Sequence, residues 1–353
     1  MKKIALSIVF GALMTASLAA YNPPAGGESL FNLSSPKNLS GGATAAGGPI
    51  FSATADSLNV NPALTGREQR VALNAGYTAL FSSESKNESN FGSAAQLGIL
   101  IPTRYFVFSG YTNGTFIDFY EMHVGNSFNA RAGLAKEIME NLVIGLSANG
   151  GFAWGHDSDW LLGANVGALY TLGDLGFLKD FRIGASVLNL GKNYKDLKLF
   201  GMDATESISD FPTFLTLKGG VAASVFRNDT LDIAVAADVT TPFFQNIILD
   251  FAAGVAIKDM VFVNVMETVN FREIANSHKM FIPAIGVSFK FDLNFHGNSY
   301  AEKNDWADSE MVVSGAFKTM YDSVYAVSGG ADLYLGKEDT DAPEIHLFGD
   351  DED

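Results

Sequence analysis

Cysteine is absent from all 353 residues. That excludes disulfides, thiolate metal sites and lipidation of a signal-peptide cysteine. Charge is scarce at 18% of residues, below the ~25% usual for soluble domains. The charge that is present is mostly acidic, giving a formal net charge of −16, which argues against a nucleic-acid partner. Beyond the N-terminus there is no unbroken apolar run of the ~18 residues that a spanning helix needs. Catalytic and phosphate-binding motifs are missing too. None of the five histidines (His123, His156, His278, His296, His346) has a partner at helical metal spacing. There is no G-x-x-x-x-G-K-[ST] loop to cradle a phosphate. His156-Asp157-Ser158 resembles a hydrolase pair only superficially, because adjacent strand residues point apart and no nucleophile elbow is present. The sequence therefore offers no catalytic residue, no metal ligand set and no cofactor site.

What remains is organised by position along the chain. Lys2 and Lys3 precede an apolar stretch, Ile4 to Met14, and a small-x-small site at Ser17-Leu18-Ala19. This pattern reads as a secretory signal peptide over residues 1–20 rather than an anchor, since the stretch falls short of the ~20 residues that cross a bilayer. Residues 21–67 are rich in glycine, alanine and proline. They are poor in helix-forming pattern but hold enough apolar residues, such as Ile50, Phe51, Leu58, Val60 and Leu64, to pack into something.

From Arg70 the pattern turns to period 2. Val71, Leu73, Ala75, Tyr77, Ala79 and Phe81 fall on one face, and Arg70, Ala72, Asn74, Gly76 and Thr78 on the other. The alternation recurs at 231–240, 247–258 and 281–293. One face suits hydrocarbon and the other a narrow, partly polar interior. A soluble sandwich also alternates, but with strands nearer 5–6 residues. The predicted strands are 69–82, 91–101, 104–113, 119–137, 141–155, 159–172, 180–190, 212–227, 230–243, 246–258, 261–273, 281–293, 309–321 and 324–336. The fold class is thus all-β: a transmembrane antiparallel barrel of about fourteen strands spanning residues 68–336. Only a closed barrel satisfies every backbone group in lipid without helices. Short connections alternate with longer ones, as between periplasmic turns and outer loops; the long connection 294–308 breaks that rule. Aromatic residues near strand ends, including Tyr105, Phe106, Phe108, Tyr111, Phe116, Phe119, Tyr120, Trp154, Trp160, Phe243 and Phe244, are expected to form interfacial girdles. Residues 337–353 form a tail whose Asp and Glu content reads as a solvated segment.

The stretch Ser52 to Gly66, with Ala55-Asp56 followed by Asn61-Pro62-Ala63 just before the first strand, resembles the N-terminal plug of the FadL-like outer-membrane transporters, including their spirochaetal and PorV-type branches. Where that family usually has glycine after Asn-Pro-Ala, this chain has Leu64. The resemblance implies that residues 21–67 plug the lumen and that Phe51, Asp56, Asn61, Pro62 and Ala63 belong to the plug and ligand pathway. It also implies a lateral gate in the third strand, placed at Ser109, Gly110 and Tyr111 because glycine in a strand often marks a bulge. The implied activity is passive uptake of hydrophobic small molecules, such as long-chain fatty acids, across the outer membrane. PorV-type relatives imply a different role, as an outer-membrane partner of a secretion machine. A structural or water-filled porin-like barrel is a third reading.

Overall fold

The computed structural model describes residues 32–41, 44–83, 90–117, 126–155, 157–194, 212–275, 281–320 and 324–337. The expected signal peptide, the first part of the plug (21–31), Phe119, Tyr120, His123, His156, His278, His346 and the acidic tail from residue 338 lie outside the described residues.

Period-2 patterning becomes fourteen strands: β1 (Val71–Ser82), β2 (Phe91–Pro102), β3 (Val107–Ile117), β4 (Asn126–Met139), β5 (Leu142–Trp154), β6 (Ser158–Leu175), β7 (Leu178–Lys192), β8 (Thr216–Arg227), β9 (Leu231–Pro242), β10 (Ile248–Ile257), β11 (Val261–Asn270), β12 (Phe281–Asn294), β13 (Asp308–Thr319) and β14 (Val324–Leu335). Each pairs antiparallel with its sequence neighbour, and β1 pairs with β14 from Val71↔Leu335 to Ser82↔Val324, closing the barrel. Closure leaves no edge strand to expose unpaired N–H and C=O groups. No helix among the described residues is long and apolar enough to cross a membrane.

The two faces of each strand separate as the alternation requires. On β1, Leu73, Tyr77 and Phe81 stand exposed on the outer wall, while Ala72, Asn74, Thr78 and Leu80 are buried inside. Leu97, Leu146, Phe251, Ile285 and Phe317 continue the apolar outer surface around the ring. Aromatic residues gather near its rims: Phe81 against Phe91 and Phe116 against Trp154 at the end carrying the longer loops, and exposed Tyr105, Phe106 and Phe108 at the end carrying the short turns. Tyr111 does not join this girdle. It sits in the inward phase of β3 and is buried in the lumen.

Local chemistry sets the strand ends. β3 begins at Val107 rather than residue 104 because Thr103 closes a turn, its N–H and its hydroxyl both donating to Phe106 O, at 2.9 and 2.7 Å. The turn after β10 places Lys258 and Asp259 both at positive φ, the backbone that tight hairpin turns need. The long connection 294–308 is a folded excursion. A short helix, Ser299–Lys303, is capped by Asn298, whose Oδ1 accepts from Tyr300 N at 3.0 Å and Ala301 N at 3.3 Å, and Tyr300 packs edge-on to Trp306.

The outer wall yields a test. Leu97 stands at the middle of β2, 65% exposed to the surroundings of the barrel. Leu97→Arg should destabilise the barrel in liposomes by about 2–4 kcal/mol, the cost of a cation on the lipid face near the bilayer midplane. Leu97→Ile should change little. Urea unfolding from phospholipid vesicles measures both.

Candidate functional site

The described residues of the inner segment, 32–41 and 44–67, pack against the inward-facing side of the barrel wall. Its elements are a short helix, Pro36–Leu39, and two 3-10 turns, Ala55–Asn59 and Pro62–Arg67. Leu33, Leu39, Leu58 and Leu64 are all buried against the wall or each other. Ser35 caps the helix, its Oγ accepting from Asn38 N, and donates in turn to Asp56 Oδ2 at 2.5 Å. The Thr54 hydroxyl also donates to Asp56, so this carboxylate clasps two parts of the segment together.

Asn61-Pro62-Ala63 builds the tightest joint to the wall. Asn61 has extended backbone (φ −158°) and caps the second 3-10 turn, its Oδ1 accepting from Ala63 N at 3.0 Å. Pro62 takes the first helical position, where a missing N–H costs nothing. The Asn61 amide donates to Ala45 O at 2.7 Å and to Ala168 O on β6 at 2.9 Å. It therefore ties the segment both to itself and to the barrel. Close approach demands glycine on the facing strands. A Cβ on Gly145 of β5 would run into the backbone of Pro62 and Ala63, and one on Gly167 of β6, its cross-strand partner, into Asn61 Oδ1. Ser186 on β7 adds a hydroxyl donated to Val60 O at 2.7 Å.

Charged side chains on inward strand phases complete the anchoring. Arg182 donates to Gly48 O (2.9 Å) and Pro49 O (3.3 Å), with its guanidinium 4.9 Å over the Phe51 ring. Arg131 donates to Leu58 O at 3.3 Å. Asp238 accepts from Ala45 N at 2.7 Å while Lys218 neutralises it at 3.0 Å. Lys37 pairs with Asp332 on β14 at 2.7 Å and donates to Ser52 Oγ at 2.7 Å. Burial opposes the charge on Lys37, but Asp332 outweighs it and holds the ammonium well above the usual lysine range.

Two cavities flank this packing. The one towards the loop end, about 80 Å³, is lined by apolar Leu39, Leu188, Ile248 and Met320 together with Arg131, Lys218 and Lys318 against a single carboxylate, Asp250. Lys318, on β13, is only 6% exposed, and its ammonium makes no ion pair or hydrogen bond among the described residues. Lys218 is engaged by Asp238 and by Asp250, the latter at 3.3 Å, and Asp250 also accepts from Thr268 at 2.8 Å. The second cavity, about 150 Å³, lies towards the turn end beneath Ile50, Phe51 and Ser52.

Of the residues singled out from the sequence, Phe51 lines the turn-side cavity, while Asp56, Asn61, Pro62 and Ala63 line neither and are joints of the inner segment. The bulge expected at Gly110 is not there. β3 pairs with β2 and with β4 in continuous register through Ser109, Gly110 and Tyr111. Gly110 faces outward, and a Cβ there would meet only ordinary contacts, Ile99 Cγ2 at 3.4 Å being the nearest, so no bulge or close approach requires this glycine. Tyr111 points inward, donating to Gln96 Oε1 at 2.9 Å and meeting Ser34 Oγ at 3.2 Å. The ladder is continuous here, and its register shifts fall instead on β4–β5, β6–β7, β7–β8 and β8–β9, at Glu137/Met139, Ala164/Val166, Lys179/Arg182 and Ser224/Phe226 among other places. Sequence reasoning missed Arg131, Arg182, Lys218, Asp250 and Lys318. Their signal was available: each is a charged residue in the inward phase of a long apolar-alternating strand.

This architecture, a closed fourteen-stranded barrel around an inner segment, has solved counterparts. The Ralstonia pickettii toluene transporter TbuX is 13% identical, covers 86% of this chain and 98% of its own, and superposes with a TM-score of 0.54. The fold is that of the FadL-like barrels. The Pseudomonas putida toluene transporter TodX is 13% identical over 85% of this chain and all of its own, TM-score 0.52. A TodX monoaromatic hydrocarbon channel variant, deltaS2, is 10% identical over 88% of this chain, TM-score 0.54. No protein-family model and no curated protein sequence matches the chain significantly. A FadL-like barrel with this apolar outer wall is a multi-pass outer-membrane protein.

The Asn61 joint can be weakened without touching the barrel. An unmet buried hydrogen bond costs about 1–3 kcal/mol. Asn61→Ala should therefore raise the undocked fraction of the inner segment roughly 5- to 100-fold. Ser57→Cys would supply the only thiol in a chain without cysteine, and its alkylation rate in the two backgrounds reads the change.

Proposed function

We propose that the barrel carries hydrophobic small molecules passively across the outer membrane, with residues 21–67 as a plug, and that its preferred ligands bear an acidic head group, long-chain fatty acids among them. The observation that carries the reading is Lys318. A buried ammonium without a counter-ion is costly. Here it faces a cavity that it shares with Arg131 and with Lys218, the latter already held by Asp238 and Asp250, and whose remaining wall mixes apolar side chains with asparagines and threonines. A carboxylate arriving from the loop side would find a ready partner, and an alkyl tail would find Leu39, Leu188 and Met320. The toluene transporters with the same fold support a hydrophobic cargo.

Passage from the loop-side cavity to the turn side then involves a shift of the plug, since Leu39 and Gly41 line the first cavity and Lys37 and Ile50 to Ala53 line the second. Its attachments are a handful of hydrogen bonds and ion pairs, centred on Asn61, Arg182 and Lys37. Such a contact set can rearrange without unfolding the wall. Thermal motion and a concentration gradient suffice to drive it, in keeping with the absence of any phosphate-binding loop. The packed middle of the lumen is also what a secretion-machine partner with no ligand would show; Lys318, which lines the cavity and makes no direct ion pair among the described residues, favours transport over that alternative.

Removing the Lys318 charge tests the ligand class. A hydrogen bond to a charged group contributes about 1.5–3 kcal/mol. Lys318→Met should weaken binding of a long-chain carboxylate roughly 10- to 100-fold and leave binding of the alcohol of equal chain length nearly unchanged. Titration calorimetry in detergent measures both. Equal loss for acid and alcohol would refute the head-group role.

A further inference from the structure

Every strand pairs with its neighbours in sequence except at one place, where β1 meets β14. A hairpin forms through its own short connection. This seam instead joins the first strand to the last, so it carries the largest loop-closure cost in the barrel and has no local turn to start it.

The inner segment lies across this seam. Gly76 of β1 and Gly330 of β14 are cross-strand partners near its centre. A Cβ on Gly76 would come to 2.5 Å from Ser34 O. One on Gly330 would meet Pro36 Cγ at 3.0 Å as well as the Ala75 carbonyl at 2.8 Å. Polar contacts reach to either side. Ser34 Oγ donates to Gln96 Oε1 of β2 at 3.1 Å and meets the Tyr111 hydroxyl of β3 at 3.2 Å. Lys37 pairs with Asp332 of β14 at 2.7 Å, both side chains being largely buried. Leu33 and Leu39 share one buried apolar cluster with Leu80 of β1, Ala316 of β13, and Val324 and Ala326 of β14. The short helix Pro36–Leu39 packs against β12, β13, β14 and β1. By contrast, the Asn61 joint lies against β5 and β6, which their own hairpin already connects.

We propose that residues 33–40 are an internal staple for barrel closure, docking on β1 to β3 and presenting to β14 the surface on which the last seam forms. The order follows from the chain. Residues 33–40 precede β1 closely, so their contacts with β1 to β3 close short loops at low cost. β14 comes from the far end of the chain and meets an ammonium for Asp332, a proline ring for Gly330, and leucines for Val324 and Ala326. The staple also selects the register. A slip of one residue would turn Asp332 to the lipid face. A slip of two keeps the faces, which the alternation alone tolerates, but brings Gly330 or Tyr334 to Lys37 in place of the carboxylate. This role concerns assembly of the wall and does not depend on what the lumen carries.

The test uses the full-length chain, refolded from urea into detergent with an oxidant present. Two cysteine pairs, in a protein that has no cysteine, report on two seams. Ala75→Cys with Ala331→Cys joins outward-facing partners across β1 and β14, and Ala132→Cys with Ala148→Cys does so across the β4–β5 hairpin. Lys37→Met leaves Asp332 buried without its partner. It should slow the β1–β14 disulfide roughly 10- to 100-fold while the hairpin disulfide keeps its rate. Leu33→Asn, which puts an amide into the apolar cluster, should act in the same direction. Asn61→Ala, which loosens the segment away from the seam, should change neither rate. A β1–β14 disulfide that forms at the unaltered rate in both Lys37→Met and Leu33→Asn overturns the staple. So does equal slowing of the two disulfides, or an equal effect from Asn61→Ala.

Discussion

The Asn61 amide is the contact on which the interior arrangement depends. A segment threaded through a barrel must satisfy its own backbone groups in a space where little water reaches. Asn61 meets part of that demand by donating to one carbonyl of the segment and one of the wall, while its oxygen starts the next 3-10 turn. The arrangement works only if the wall comes close. That is why Gly145 and Gly167 face it on adjacent strands, and why the residue two along is Ala63 rather than something larger. The joint is local and made of a few hydrogen bonds, one to a carbonyl of the segment and one to a carbonyl of the wall.

Electrostatics then divides the lumen into two unlike halves. On the loop side Lys318 makes no direct ion pair among the described residues, while Lys218 beside it is held by Asp238 and Asp250; on the turn side Lys37, Arg70 and Lys290 are matched by Asp332, Glu68, Glu310 and Asp259. Both the hydrophobic wall outside and the charged residues inside follow from one rule, the two-residue period of a strand, which sends neighbours in sequence to opposite media.

That same rule explains what could be read from the chain beforehand. All fourteen strands were legible, because lipid on one side and a lumen on the other impose an alternation that runs ten residues or more. Boundaries were less legible: Thr103 and Phe106 turn the chain where period 2 alone continues β3 backwards. Gly110 misled for a physical reason, since a glycine facing lipid without a close neighbour leaves the same letter as one at a bulge. The cavities were not legible at all. Lys318 of β13 and Lys218 of β8 share a wall only after the barrel closes, and which inward charges stay unpaired is decided by strands far apart in sequence.

The central proposal is that the inner segment closes the lumen between the loop-side and turn-side cavities. Conductance of single barrels in planar bilayers tests it most directly, comparing the intact chain with one lacking residues 41–66. The account predicts little or no steady conductance from the intact protein and a large, stable ion current from the deleted form, with both running as heat-modifiable barrels. Equal conductance from the two would contradict it.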